Sequence, residues 1–232
     1  MDRAGIGCRE LVERLGRHPA AGLGIDLAAA DGPGAWFVAA CVLAERSPRA
    51  AATAAVKSLS GAGLAQPGAL AAAGAARLQA VLDAAEHPSA EALAHRLVRA
   101  ATRLGERHPG GFDALAAGCD DLDGLGSAVT ALASGVGRGT VLRFLRPFRE
   151  RWNAAADLPL EPAALAAAIH LGWLSDSQDA EGALNPLRAR LAEAEDAPPL
   201  VDVEAALSHL GTRACRRESP ARCPLPDHCP LR

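Results

Sequence analysis

A chain of 232 residues with a formal net charge of −3, half of it hydrophobic, has room for one large domain or for two small lobes sharing a core. Its apolar half is rich in Ala and includes only four Phe, three Trp and no Tyr, a balance that favours helix over sheet. No apolar run reaches the roughly 20 residues that cross a bilayer, and the opening "MDRAGIGCRELVERLGRHP" is charged where a signal peptide would be apolar, so a soluble, cytoplasmic chain is expected.

Residues 8–15 read as a short helix, and "HPAAGLGIDLAAADGPG" as a connection punctuated by Pro and Gly. "AWFVAACVLAER" is a strongly apolar stretch, which predicts a buried helix that Ser47 and Pro48 bring to an end. Another helix covers 49–59 and is closed by "SGAG"; Gln66 and Pro67 open the next, and 77–85 carries Leu78, Val81 and Leu82 at helical spacing. Leu93, Leu97, Val98 and Leu104 line one face of "HPSAEALAHRLVRAATRLGERHPGG". "DDLDGLGSAVTALAS" leads through Gly-Val-Gly to an Arg-rich helix over 140–152, which Pro147 should kink. "EPAALAAAIHLGWL" starts a helix at Pro162, and helices near 182–195 and 201–210 precede the tail. No useful strand alternation and no internal repeat occurs, so the fold class is all-α.

Charge is distributed unevenly. Lys57 is the only lysine, and Arg138, Arg143, Arg146, Arg149 and Arg151 cluster against Glu150 alone. A second basic stretch runs from Arg213 to Arg222. Such stretches read either as a phosphate-binding face or as solvated helix surface. In "LASGVGRGTVLRFLR" the glycines allow close backbone approach, and the amides opening the next helix suit a phosphate at the positive end of its dipole. Arg138, Arg143 and Thr140 stand beside it; an ordinary helix–helix turn is the alternative. The tail "ACRRESPARCPLPDHCPLR" holds Cys215, Cys223 and Cys229 with almost nothing that builds a core. In a reducing compartment that pattern points to metal before disulfide.

The run Ala133-Ser134-Gly135-Val136-Gly137-Arg138-Gly139-Thr140-Val141 resembles the L-P-G-V-G-x-K-T-A helix-hairpin-helix of the endonuclease III superfamily of DNA glycosylases. That family carries a catalytic Asp 18 residues after its Lys position, which from Gly139 is Asp157. It ends in a C-x6-C-x2-C-x5-C iron–sulfur loop, to which this chain's C-x7-C-x5-C is similar. The landmarks come in the family's order, and the resemblance covers nearly the whole chain. It implies a two-lobed helical fold, with a central lobe at 30–140 and a cluster lobe of 1–29 plus 141–232 ending in a cysteine loop at 213–232. It also implies a [4Fe–4S] cluster held by Cys215, Cys223, Cys229 and a fourth ligand, and a monomer acting on double-stranded DNA with a lesion, in the cytoplasm near the nucleoid.

Departures from the pattern shape the expected mechanism. The Lys that forms a Schiff base in strand-cleaving members is Gly139 here, so the expected enzyme is a monofunctional DNA N-glycosylase. In it Asp157 stabilises an oxocarbenium-like sugar or activates water. The family's "V-D-T-H-V" is replaced by "AADLPLEP", which leaves open that Asp157 only begins a turn. Arg46 or Ser47 stands where the family fills the gap left by a flipped base, and Trp36, Phe37 and Glu45 are read either as pocket lining or as core. Gly135, Val136, Gly137, Arg138, Thr140 and Arg46 are therefore the expected DNA contacts. One family cysteine is missing; Cys8 is the favoured replacement, with Cys119, Cys41 and His228 as others, and zinc held by three Cys and one His is the rival metal. A non-catalytic DNA lesion-binding protein with the same hairpin and cluster is the alternative function.

Overall fold

The computed structural model describes residues 6–215 and 223–228, and every described element is helical. The helices are α1 (Cys8–Leu15), α2 (Pro19–Gly22), α3 (Gly32–Ala44), α4 (Arg49–Gly61), α5 (Pro67–Ala84), α6 (Ala90–Arg107), α7 (Gly111–Ala117), α8 (Leu122–Thr130), α9 (Arg138–Leu145), α10 (Pro162–His170), α11 (Leu184–Glu193) and α12 (Leu200–Arg213). None is long and apolar enough to cross a membrane among the described residues. The chain divides into two compact units, Leu23–Ala156 and the segment up to Gly22 joined with that from Asp157 onward. The division falls at 22/23 and 156/157, where the sequence reading drew it at 29/30 and 140/141; α9 stays with the central unit because its apolar residues pack there.

In the central unit α3 is the axis. Trp36, Phe37, Val38, Cys41 and Val42 are all at most 2% exposed, which accounts for a helix apolar on every side. Phe37 meets Phe112 of α7 and Phe144 of α9 with ring centroids 4.8 and 5.3 Å apart, and Phe144 continues to Phe148 and Trp152. Trp36 and Phe37 are thus core, which corrects their candidacy as pocket lining; the Trp36 indole donates to the Arg143 carbonyl at 3.2 Å. α5 breaks at Gly74, where φ is 75°, a left-handed conformation suited to glycine. α9 stops at Leu145 and passes into a 3-10 turn over Arg146–Phe148, so Pro147 ends the α-helix that the sequence pattern carries to 152. The short α7 between Gly111 and Ala117 has no forerunner in the sequence reading.

The Arg-rich stretch does not form one exposed face, which corrects the idea that it marks a phosphate-binding surface as a whole. Arg149 is 3% exposed, and Arg143, Arg146 and Arg149 each have partners of their own. Arg151 grips Asp113 with Nε and Nη2 at 2.9 and 2.6 Å, while its Nη1 donates to the Leu27 and Ala29 carbonyls at 3.3 and 2.9 Å. The Trp152 indole adds a 2.7 Å bond to Asp113. Burial alone would raise the Asp113 carboxyl, but these donors and the Arg151 charge outweigh it and hold the group below its ordinary value.

The second unit is built on α10 and α12. A Cβ on Gly211 would run into the Ala163 backbone, so the glycine lets the two helices close together. α1 packs on α12, and Leu11, Ala164, Leu187, Val203 and Leu207 fill the core between these elements. Asp202 accepts from the His18 amide at 2.9 Å, and Glu204 from the Glu161 amide at 3.1 Å, where α10 begins. Burial pushes His18 down to about 4, against the opposing pull of Glu204.

Candidate nucleic-acid interface and cysteine cluster

The hairpin connects α8 to α9. Asp121 caps α8 by accepting from Gly124 N–H at 2.8 Å, and Gly126 faces Val141 across the pair, where a Cβ would make an ordinary contact at 3.8 Å. Val136 anchors the turn. Its side chain is 2% exposed and its amide donates to the Ala133 carbonyl at 3.2 Å. Val136 is thereby corrected from DNA contact to core residue, since neither its side chain nor its N–H is available to a ligand. Thr140 is 8% exposed, so its side chain offers little surface to a ligand.

Three glycines here serve different ends. Gly135 has φ 89°, and a Cβ on it would lie 2.6 Å from Arg96 Nε, so the fold itself requires it. Gly137, the residue before α9, has φ −89° and ψ 172°, ordinary extended backbone. A Cβ at Gly137 or at Gly139 would meet nothing within 4 Å. Both are exposed; Gly137 is the N-cap of α9, a position that accepts glycine readily, whereas Gly139 lies inside the helix, where glycine costs roughly 0.5–1 kcal/mol against Ala. The fold does not ask for either. Among the described residues the amides of Gly137, Arg138, Gly139 and Thr140 have no backbone acceptor, as expected for a helix start. Arg138 is exposed and forms no ion pair among the described residues.

The turn is held from behind by α6. Arg103 Nη1 donates to the Ala131 and Leu132 carbonyls at 2.9 and 3.4 Å, satisfying acceptors left open at the end of α8. Arg96, seven residues earlier on the same helix, lies against Gly135 and pairs with Glu45 at the end of α3. Glu45 is thus an ion-pair partner and not a pocket wall. Arg46, the next residue, is exposed. Sequence reasoning missed Arg96 and Arg103; the available signal was two arginines at helical spacing beside the apolar stripe of Leu93, Leu97 and Leu104.

Asp157 is exposed in the turn after the 3-10 helix Asn153–Ala155 and makes no hydrogen bond or ion pair among the described residues.

In the second unit the cysteines separate by environment. Cys8 is 4% exposed, and Cys215 and Cys223 pack against the same apolar cluster. Burial raises the Cys8 thiol, partly offset by the charge of Arg190 and a hydrogen bond from it. Arg190 also stacks over Trp173, 4.7 Å from the ring centroid. His228 Nε2 stands 3.9 Å from Glu10 Oε1. Cys229 lies outside the described residues, as do Arg216, Arg217 and Arg222. Among the described residues no three His, Cys, Asp or Glu side chains converge as a metal site. The other thiols belong to the central unit: Cys41 is core, pushed by burial to about 12, and Cys119 donates to the Leu115 carbonyl at 3.3 Å.

No protein-family model matches the chain, and no curated protein matches it.

Proposed function

We propose that this chain binds lesion-bearing double-stranded DNA through the hairpin and excises a damaged or mismatched base as a monofunctional N-glycosylase. The observation that carries the reading is the pair of glycines at 137 and 139. Both are exposed and neither is demanded by packing or dihedral angle, yet together they strip side chains from a helix start with unpaired amides. A strand phosphate there would accept from those amides at the positive end of α9, with Arg138 alongside. Arg46 enters the gap left by the flipped nucleotide.

Chemistry rests on Asp157, an exposed carboxylate that would stabilise positive charge on the sugar or take a proton from the attacking water. Gly139 offers no amine, and the single lysine, Lys57, lies on α4; the strand is left uncut. Cys215, Cys223, Cys229 and Cys8 are the proposed ligands of a [4Fe–4S] cluster, supported by the shared apolar surroundings of the three described thiols. Such a cluster would fix the tail in place; zinc is the alternative. The protein acts as a monomer in the cytoplasm.

A second reading, lesion binding without excision, is favoured by Asp157 having no hydrogen-bond or ion-pair partner among the described residues to orient it. One assay separates the two. Oligonucleotides with a panel of base lesions are incubated with the protein and then heated in alkali. Breaks only after alkali indicate base removal; tight lesion binding without breaks indicates the binding protein; breaks without alkali contradict the role assigned to Gly139.

A further inference from the structure

Four features meet at one end of the central unit. Arg96 pairs with Glu45, and both side chains are largely buried, at 19% and 17% exposure. The same guanidinium fills the space that a side chain at position 135 would need. Glu45 leads directly into the α3–α4 turn, where the Ser47 amide donates back to the Glu45 carbonyl at 2.9 Å. Behind this pair lies His87, 3% exposed, whose Nδ1 accepts from the Ser89 amide at 3.3 Å. Burial lowers its pKa while Glu45 pulls the other way. The opposite ring nitrogen, Nε2, and the Ser47 hydroxyl are both buried without a hydrogen-bond partner among the described residues. Nearby Glu86 has φ 55°, a left-handed conformation that costs a non-glycine residue energy. Buried polar atoms without partners and a strained turn are costs that a region shaped for stability alone avoids.

We infer that Arg96 is a positioning residue that locks the hairpin glycine turn and the Arg46 turn into one register, so that both meet a single DNA duplex. The inference rests on the DNA-binding reading above. The physical reason is geometric. The planar Arg96 guanidinium lies in the slot that Gly135 leaves, and the same group pairs with Glu45. Movement of the hairpin toward the α3–α4 turn would press Gly135 into the guanidinium and disturb a partly buried ion pair. A flexible Lys carries the charge but lacks the plane.

The test is a double-mutant cycle read by fluorescence anisotropy with a short duplex containing a tetrahydrofuran abasic analogue. Arg46→Ala is expected to weaken binding about tenfold in the wild-type background and less than about twofold in the Arg96→Lys background, because the two turns no longer share a register. Arg96→Lys is chosen over Arg96→Leu because it keeps a cation opposite Glu45; a melting temperature within a few degrees of wild type confirms that it folds. Equal losses from Arg46→Ala in both backgrounds overturn the inference and leave DNA binding standing. Absence of salt-sensitive duplex binding by the wild-type protein overturns the DNA reading and the inference with it.

Discussion

Gly211 in α12 and the pair Gly137 and Gly139 at the start of α9 are the same residue type used for opposite ends. At Gly211 the Ala163 backbone stands where a side chain would go, and the glycine is explained entirely by two helices closing on each other. At Gly137 and Gly139 the surroundings are empty, the dihedral angles at Gly137 are ordinary, and at Gly139 the residue type is a cost without a folding return. A glycine that packing requires speaks about the fold; a glycine that packing leaves unexplained speaks about what approaches from outside. The thiols divide in the same way. Cys41 is a small core side chain among the aromatics of the central unit, whereas Cys8, Cys215 and Cys223 share one cluster in the other unit, with a cation at the first of them.

The comparison breaks most sharply at the cysteines. Cys223→Ala is expected to abolish bound metal and most of the folded yield, while Cys41→Ala leaves metal content unchanged; iron and zinc analysis with a visible spectrum reads both. Cys8→Ala should also bleach the preparation, and an unchanged iron content would remove Cys8 from the ligand set. Next comes Gly211→Ala, which overpacks the α10–α12 crossing and should cost about 1–3 kcal/mol in a denaturant titration. The contrasting Gly139→Ala should be neutral to stabilising by about 0.5 kcal/mol yet weaken duplex binding. A Gly139→Ala protein that loses stability would mean the fold needs that glycine after all.

Acid offers a smaller test of the second unit. His18 has a folded value of about 4 against an ordinary 6.5, so the unfolded chain binds the proton first as pH falls. Stability is therefore fully present above about 6.5, declines between 6.5 and 4, and this contribution levels off below that; the loss is roughly 3 kcal/mol. His18→Gln should flatten the decline in a series of thermal melts. Asp113 in the central unit has the opposite bookkeeping: its depressed value adds stability above its ordinary 3.8 that disappears only as pH falls further, through the folded value. The His18 and Asp113 contributions should consequently be lost in separate pH windows.

Much of the helical order was legible because it rests on local rules. Pro67 and Pro162 open helices in the first turn, and the all-round apolarity of α3 announced its burial. The hairpin was legible from its glycines, since a turn between two helices needs little beyond them. The roles of the arginines were not legible. Arg138, Arg149 and Arg151 look alike in a row of letters, and only the packing decides that the first is exposed, the second buried and the third spent on Asp113 and the carbonyls of Leu27, Ala28 and Ala29 before α3. Arg96 and Glu45 lie 51 positions apart, and no periodicity links them. α7 escaped notice because it is seven residues long, too short for a period to register.

The proposal that the hairpin grips a nucleic-acid strand is tested most directly by duplex affinity measured across a range of salt concentrations for the wild-type chain and Arg138→Ala. The account predicts a linear fall of log affinity with log salt, and a slope shallower by about one unit when the Arg138 charge is removed. A wild-type affinity that is negligible or indifferent to salt, or a slope untouched by Arg138→Ala, would contradict it.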